Sequence, residues 1–348
     1  MRRLLLLLCA LAAGLVALTA CGVPEPTPGA GPPRAAAAAE QKGPAGRLLF
    51  VRGGNVWQWA GGQETQLTKA SADSQPRWSP DGSAFLFVRA GQSFTDLWLA
   101  TDQGQTLRQL THNQPKGGQP ESQDYVLHTA MLSGPSWVHM ADGSDRIVYS
   151  TDAGANPENL TAKTATPLTL WIVNGLDGRP QPIYGTADLN GTAEGAALSP
   201  DGLKVAFTLD TTDANSGKRT TQIYVVSLAD GTYKALTHNP DGAYDPAWSP
   251  DGHWLAYAAR SDGGSKTAIW AMRADGSDQH RLIDGSADRG PAWSPDGNQL
   301  AFVRLQGADS GLYYVDLTAP NGGLQAGSPQ EIGNYSDVDP ASGVSWTR

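Results

Sequence analysis

From residue 47 onward the apolar positions fall in short alternating runs, with no helical period anywhere. An apolar-x-aromatic triplet, aliphatic at its first position in five copies, recurs six times: Leu48–Phe50, Phe85–Phe87, Ile147–Tyr149, Val205–Phe207, Leu255–Tyr257 and Leu300–Phe302. Each is followed by an aliphatic-aromatic pair: Val56-Trp57, Leu97-Trp98, Leu170-Trp171, Ile223-Tyr224, Ile269-Trp270 and Leu312-Tyr313. Short runs rich in β-branched and aromatic residues, separated by Gly-containing turns, predict antiparallel strands. A third column precedes the triplets: Trp78, Trp137, Leu198, Trp248, Trp293 and Trp346. Its members lie 45 to 61 residues apart, the length of one four-stranded propeller blade with loops.

The column also predicts how the ring closes. Its last member stands in "GVSWTR" at the C-terminus, whereas the first triplet, in "RLLFVR", has no Trp strand before it. Pairing 343–348 with 47–52, in the first blade (47–68), leaves no open sheet edge between first and last blades. The fold class read from the pattern is therefore all-β, a six-bladed β-propeller of four-stranded antiparallel blades over 47–348.

Ser-Pro-Asp-Gly follows the third column at 79–82, 199–202, 249–252 and 294–297. Proline presets φ at the second position of a type I turn, Asp suits the third, and Gly takes the positive φ that follows. A nucleophilic serine would need a base and an orienting acid beside it. Four copies spread around a ring cannot share one such site, so the phrase is a turn.

The repeat "PxWSPDGxxLAF" resembles the WD40-like β-propeller repeat of TolB-type proteins, also found in the propellers of prolyl-oligopeptidase-like hydrolases. The resemblance covers 47–348, with two departures. Blade three, "PSWVHMADGSDRIVYS", lacks the Ser-Pro, and blade four has Leu198 for Trp. There is no G-x-S-x-G elbow, H-E-x-x-H or P-loop. Neither a prolyl-oligopeptidase-type hydrolase domain nor the α/β domain that precedes the propeller in TolB is expected.

Strands converge on a channel in a propeller, and the residues before each "PxW" segment should ring one mouth. They include Asp73, Gln75, Glu194, Tyr244, Asp245, Asp288 and Arg289, with Asp339 before the closing strand. The set is acidic with one arginine. It reads as a polar funnel for a cation, a basic peptide or a sugar, or simply as the wet polar mouth that any propeller has. The insertion 112–133 reaches the same face and offers Tyr125, His128 and Met131, as a lid or as a tolerated surface loop. His112 and His238 occupy equivalent "LTHN" positions and read as repeat consensus. No metal site and no cofactor is expected.

Before residue 47 the chain has another character. Arg2 and Arg3 precede an apolar run ending in "LTAC" (Leu18 to Cys21), a secretory leader over 1–20. "LTAC" resembles the lipobox of bacterial lipoproteins, which implies a lipidated Cys21 as the mature N-terminus. Residues 21–46 are rich in Pro, Gly and Ala and read as a tether. Cys9 is the only other cysteine, so the mature domain has no disulfide and depends on its core. Without Arg2 and Arg3, 23 basic residues face 34 acidic ones, which argues against nucleic acid and anionic lipid as partners of the domain.

Three readings of function follow: a monomeric, membrane-anchored, non-catalytic module binding a protein, peptide or glycan; a glycan- or ester-cleaving enzyme using mouth carboxylates; or an envelope-integrity protein in the manner of TolB. The anchor is testable alone. Cys21→Ala should release the chain from membranes and abolish labelling by a fatty-acid analogue; unchanged labelling would refute the lipobox reading.

Overall fold

The computed structural model describes residues 43–114, 131–152, 168–183, 186, 189, 191–212, 217–260, 266–285, 287–319 and 322–348. The leader, Cys21, most of the tether, Tyr125 and His128 lie outside the described residues. Six antiparallel sheets follow one another around a ring, with no α-helix among the described residues. Blade I is built from Ser345–Thr347, Arg47–Arg52, Asn55–Ala60 and Gln63–Gln66, listed from the channel outward. Blade II comprises Asp73–Trp78, Ala84–Ala90, Thr95–Thr101 and Thr106–Gln109. In blade III the innermost strand is Leu132–His139, followed by Asp145–Thr151, Thr169–Asn174 and Gln181–Pro182. Blade IV runs through Thr192–Leu198, Lys204–Thr212, Arg219–Ser227 and Tyr233–Ala235. Blade V has Ala243–Trp248, Trp254–Arg260, Thr267–Arg273 and His280–Ile283. Blade VI has Asp288–Trp293, Gln299–Gln306 and Asp309–Thr318, and its outer strand is split into Gln325–Ala326 and Gln330–Ile332.

The three columns of the sequence are in register across these blades. The Trp/Leu column sits opposite the aliphatic column: Trp78↔Phe85, Trp137↔Ile147, Leu198↔Val205, Trp248↔Leu255, Trp293↔Leu300 and Trp346↔Leu48. The triplet aromatics pair with the aromatics of the third strand, as in Phe87↔Trp98 and Tyr257↔Trp270. Cross-strand aromatic pairs of this kind stabilise a sheet by about 0.2–1 kcal/mol each. The core is divided into six clusters, one at each seam between neighbouring blades, and each holds one member of the Trp/Leu column.

Each Ser-Pro-Asp-Gly is a closed turn. The serine Oγ donates to the aspartate Oδ1 at 2.5–2.6 Å and accepts the amide of the fifth residue after it at 2.9–3.0 Å. The aspartate also accepts the amide two residues on, and the glycine holds φ of 66–74°. Hydrogen bonds from Ser79 and Ser83 hold the Asp81 carboxyl below the usual carboxylate range. Serine and aspartate are thus both held in the turn. Blade III keeps the same device without Ser-Pro: the Ser144 amide donates to Asp142 Oδ1 and the Gly143 amide to the Met140 carbonyl.

The ring closes by antiparallel pairing of Arg47, Leu48 and Leu49 with Thr347, Trp346 and Ser345. Trp346 is buried in the seam between blades VI and I, and its indole N–H donates to the Ala45 carbonyl at 2.8 Å. Trp346→Ala is expected to lower the unfolding free energy by about 3–5 kcal/mol, read as a lower urea midpoint. A loss below about 0.5 kcal/mol would show that the ring does not depend on this seam.

Candidate functional site

The inner strands carry a second regularity, three residues before the Trp/Leu column. Gln75, Gly134, Gly195, Asp245, Gly290 and Gly343 all have φ between 50 and 64°. In blades II to VI the strand register slips at this residue, which makes it a β-bulge. Glycine takes this conformation freely, whereas Gln and Asp are strained there by about 1–3 kcal/mol. The two exceptions share one arrangement. Gln75 Oε1 accepts the amide of Gly134 at 2.6 Å, and Asp245 Oδ2 accepts that of Gly290 at 3.2 Å. Each non-glycine bulge residue therefore caps the bulge amide of the next blade.

Inside the ring is a cavity of about 660 Å³ to which all six inner strands contribute. Among the sequence candidates, Gln75, Glu194, Tyr244, Asp245 and Arg289 line it. Asp245 and Arg289 form a two-pronged pair, 2.6 Å from Nε and 3.2 Å from Nη2. Burial works against the charge on Arg289, but Asp245 outweighs it and holds the guanidinium pKa above its ordinary value. Tyr244 lies between two cations, with Arg289 5.2 Å and Arg260 5.4 Å from its ring centroid. Glu194 has no hydrogen-bond or ion-pair partner among the described residues, and desolvation together with Asp210 and Asp245 pushes its pKa up.

The other mouth candidates are placed differently. The Asp73 and Asp288 side chains are fully buried and do not reach the cavity. Asp73 is gripped by Arg89 at 2.6 and 2.9 Å, and Asp288 by Arg304 at 2.8 and 2.9 Å. In both blades the arginine stands sixteen residues after the aspartate and lies over the blade's paired aromatics, Phe87 and Trp98 or Phe302 and Tyr313. These acids fasten the inner strand to its neighbour. Asp339 closes a turn, accepting from the Ala341 amide and the Ser342 hydroxyl. The funnel expected to be acidic is thus largely balanced: Asp73, Asp288 and Asp245 are taken up by arginines on the second strands and on the next blade, and Asp339 by a turn. Glu194 stays without a partner among the described residues. Met131, 42 % exposed, donates its amide to Asp152. His112 and His238 are exposed on separate blades, and the described residues hold no group of three metal-ligating side chains.

One cavity residue escaped the sequence reading. Arg77, directly before Trp78, stands where the other blades have Ser136, Ala197, Ala247, Ala292 and Ser345. Comparing that column would have shown it as the one charged member.

Residues 183–325 match the family described as the TolB beta propeller domain. The fold is a six-bladed β-propeller, and this part of it is similar to the TolB propeller domain. TolB from Acinetobacter baumannii superposes on 87% of the chain with a TM-score of 0.62 and 17% identity, over 67% of its own length. A putative TolB from Agrobacterium tumefaciens covers 86% of the chain and 92% of itself, with a TM-score of 0.55 and 18% identity. Such low identity establishes a shared fold alone. Dipeptidyl-peptidase 5 of Porphyromonas gingivalis is 34% identical over 69 residues, 20% of this chain and 10% of that protein. The chain matches between 10% and 13% of the length of its curated peptidase relatives.

Structural and cavity-facing acids of the propeller should separate by stability. Asp73→Asn leaves Arg89 without its counter-charge and is expected to cost about 2–3 kcal/mol, discounted for the arginine's partial exposure. Glu194→Gln should act oppositely. A carboxyl whose folded pKa is raised stabilises the fold fully only below its unfolded pKa, and that contribution is lost as pH rises through the folded value. The Gln variant should therefore match the wild type in acid and be slightly more stable at neutral pH. Denaturant unfolding at pH 4 and pH 7 checks both; equal losses for the two variants would refute the distinction.

Proposed function

We propose that the chain is a lipid-anchored, extracytoplasmic binding module whose TolB-like propeller receives a segment of a protein or peptide at its channel mouth, without catalysing a reaction. The observation that carries this reading is the state of the mouth carboxylates. Paired acid–base work on a glycosidic bond needs two carboxyl groups able to exchange protons or attack. Asp245 is held by the Arg289 fork and the Gly290 amide, so its oxygens are committed to charge-assisted hydrogen bonds. That leaves Glu194 as the single unpartnered carboxyl lining the cavity among the described residues. What remains is a preformed, partly apolar cavity with a few fixed charges and an aromatic ring at its mouth, the usual make-up of a binding site. The Cys21 anchor and the tether would hold it off a membrane surface.

Charge reversal at the mouth tests the proposal. Full-length protein would be crosslinked mildly on membranes and recovered, beside Arg289→Glu and a variant lacking 112–133. A partner recovered with the wild type and lost with Arg289→Glu is the expected result. Recovery of the same set from all three proteins, or of none with a blank glycan array, would overturn it. The enzyme reading has one observation in its favour, the raised Glu194 pKa that suits a general acid; hydrolysis of a glycan or ester panel that Glu194→Gln abolishes would replace the binding proposal.

A further inference from the structure

Arg77 is a charged group without a charged partner. Its Nη1 donates to two carbonyls, Pro76 at 2.8 Å and Ser342 at 3.3 Å, and no described carboxylate lies within ion-pair distance. Nη2 and Nε make no hydrogen bond among the described residues and are not buried, so they face the cavity. Burial lowers its pKa to about 10, partly opposed by Asp245, so the guanidinium stays charged at neutral pH. Asp245 is the nearest anion but is spent on Arg289 and Gly290. Glu194 answers to Asp210, Arg219 and Asp245, on the other side of the channel mouth. A half-buried cation with two donor nitrogens open to the cavity is placed to take up an anion there.

Its surroundings favour an anion with little else to offer. Neighbouring positions of the same column are alanine in three blades, and the hydroxyls of Ser345 and Ser136 already accept the amides of Trp78 and Leu198. Sugar hydroxyls would find few free partners at this level. Gly343, with φ of 64°, lies beside Arg77: a methyl group there would be in ordinary van der Waals contact with Arg77 Nη2 at 3.6 Å. The bulge amides beside it belong to a column whose members at Gly134 and Gly290 already bind carboxyl or amide oxygens. A guanidinium fork beside main-chain amides matches the two oxygens of a carboxylate.

We propose that Arg77 is the anchor of a carboxylate-binding site within the channel, and that it takes the C-terminal carboxylate of a peptide chain. The inference rests on the reading of the propeller as a peptide-binding module and names the chemistry of the segment it receives.

The test uses full-length protein in detergent and a set of N-acetylated tripeptides, each made with a free C-terminal carboxylate and as the C-terminal amide. Binding is followed by tryptophan emission, since Trp78 adjoins the site. The free acids should bind, the amides at least about tenfold more weakly, and Arg77→Met should remove the difference, as expected for loss of one charge-assisted fork. Arg77→Lys keeps the charge without the fork and should weaken the acids about tenfold; it decides the matter if the Met variant does not unfold cooperatively. Equal binding of acids and amides, no binding up to about 10 mM, or an Arg77→Lys variant like the wild type would overturn the proposal. Binding of galacturonic acid in preference to the peptide acids would overturn the choice of a peptide. Absent carboxylate binding with membrane crosslinking still lost in Arg289→Glu sinks this inference alone and leaves the binding role standing.

Discussion

Everything in this ring depends on its seams. A blade of four short strands buries little by itself, and the domain has no disulfide to supplement it. Apolar burial is therefore organised between blades, in six clusters, each joining the inner half of one sheet to the face of the next. Such an arrangement is stable only if no seam is missing, which is why the last strand must return to the first blade. The pairing of 345–347 with 47–49 supplies the sixth seam and leaves no open inner edge on the first blade.

The same inner strands that fill the seams also build the channel, and the bulge reconciles the two tasks. A strand alternates its side chains strictly, so Trp at one position fixes the direction of every other. The left-handed residue three positions earlier breaks that alternation and lets the residues beyond it be re-aimed. It also turns a backbone amide toward the preceding blade. Four blades use glycine for this; Gln75 and Asp245, on opposite sides of the ring, accept strain and return a hydrogen bond across a seam. The strain and the cross-blade bond belong to the same two residues, and both face the cavity.

The sequence made the fold legible because the seams are repeated chemistry: Trp, aliphatic and aromatic columns recur at blade spacing, and their register follows from one alignment. The site was less legible. Asp73 and Asp288 looked like mouth acids since proximity to "PxW" says where a residue lies along the strand, not which way it points. Their partners were nevertheless visible in principle, for Asp73–Arg89 and Asp288–Arg304 share one spacing. The glycine column was visible too. Contacts that bridge blades, such as Gln75 with Gly134 or Asp245 with Arg289, join residues 59 and 44 positions apart with no repeat to announce them. The leader, tether and insertion stand outside the repeat, so nothing in its columns bears on them.

Charge shows why counting could mislead. The chain is acidic overall and the residues before each "PxW" are mostly acids, which suggests a mouth for cations. A carboxylate attracts a ligand only with what its own neighbours leave unused. Asp73 and Asp288 are buried against arginines, and Asp245 would have to give up two guanidinium bonds and an amide to meet a new cation. Arg77 would give up no protein hydrogen bond, because Nη2 and Nε make none among the described residues. Within the channel of an acidic protein, Arg77 keeps two donor nitrogens open and Glu194 stands without a partner among the described residues, so net charge alone does not set what the channel can bind.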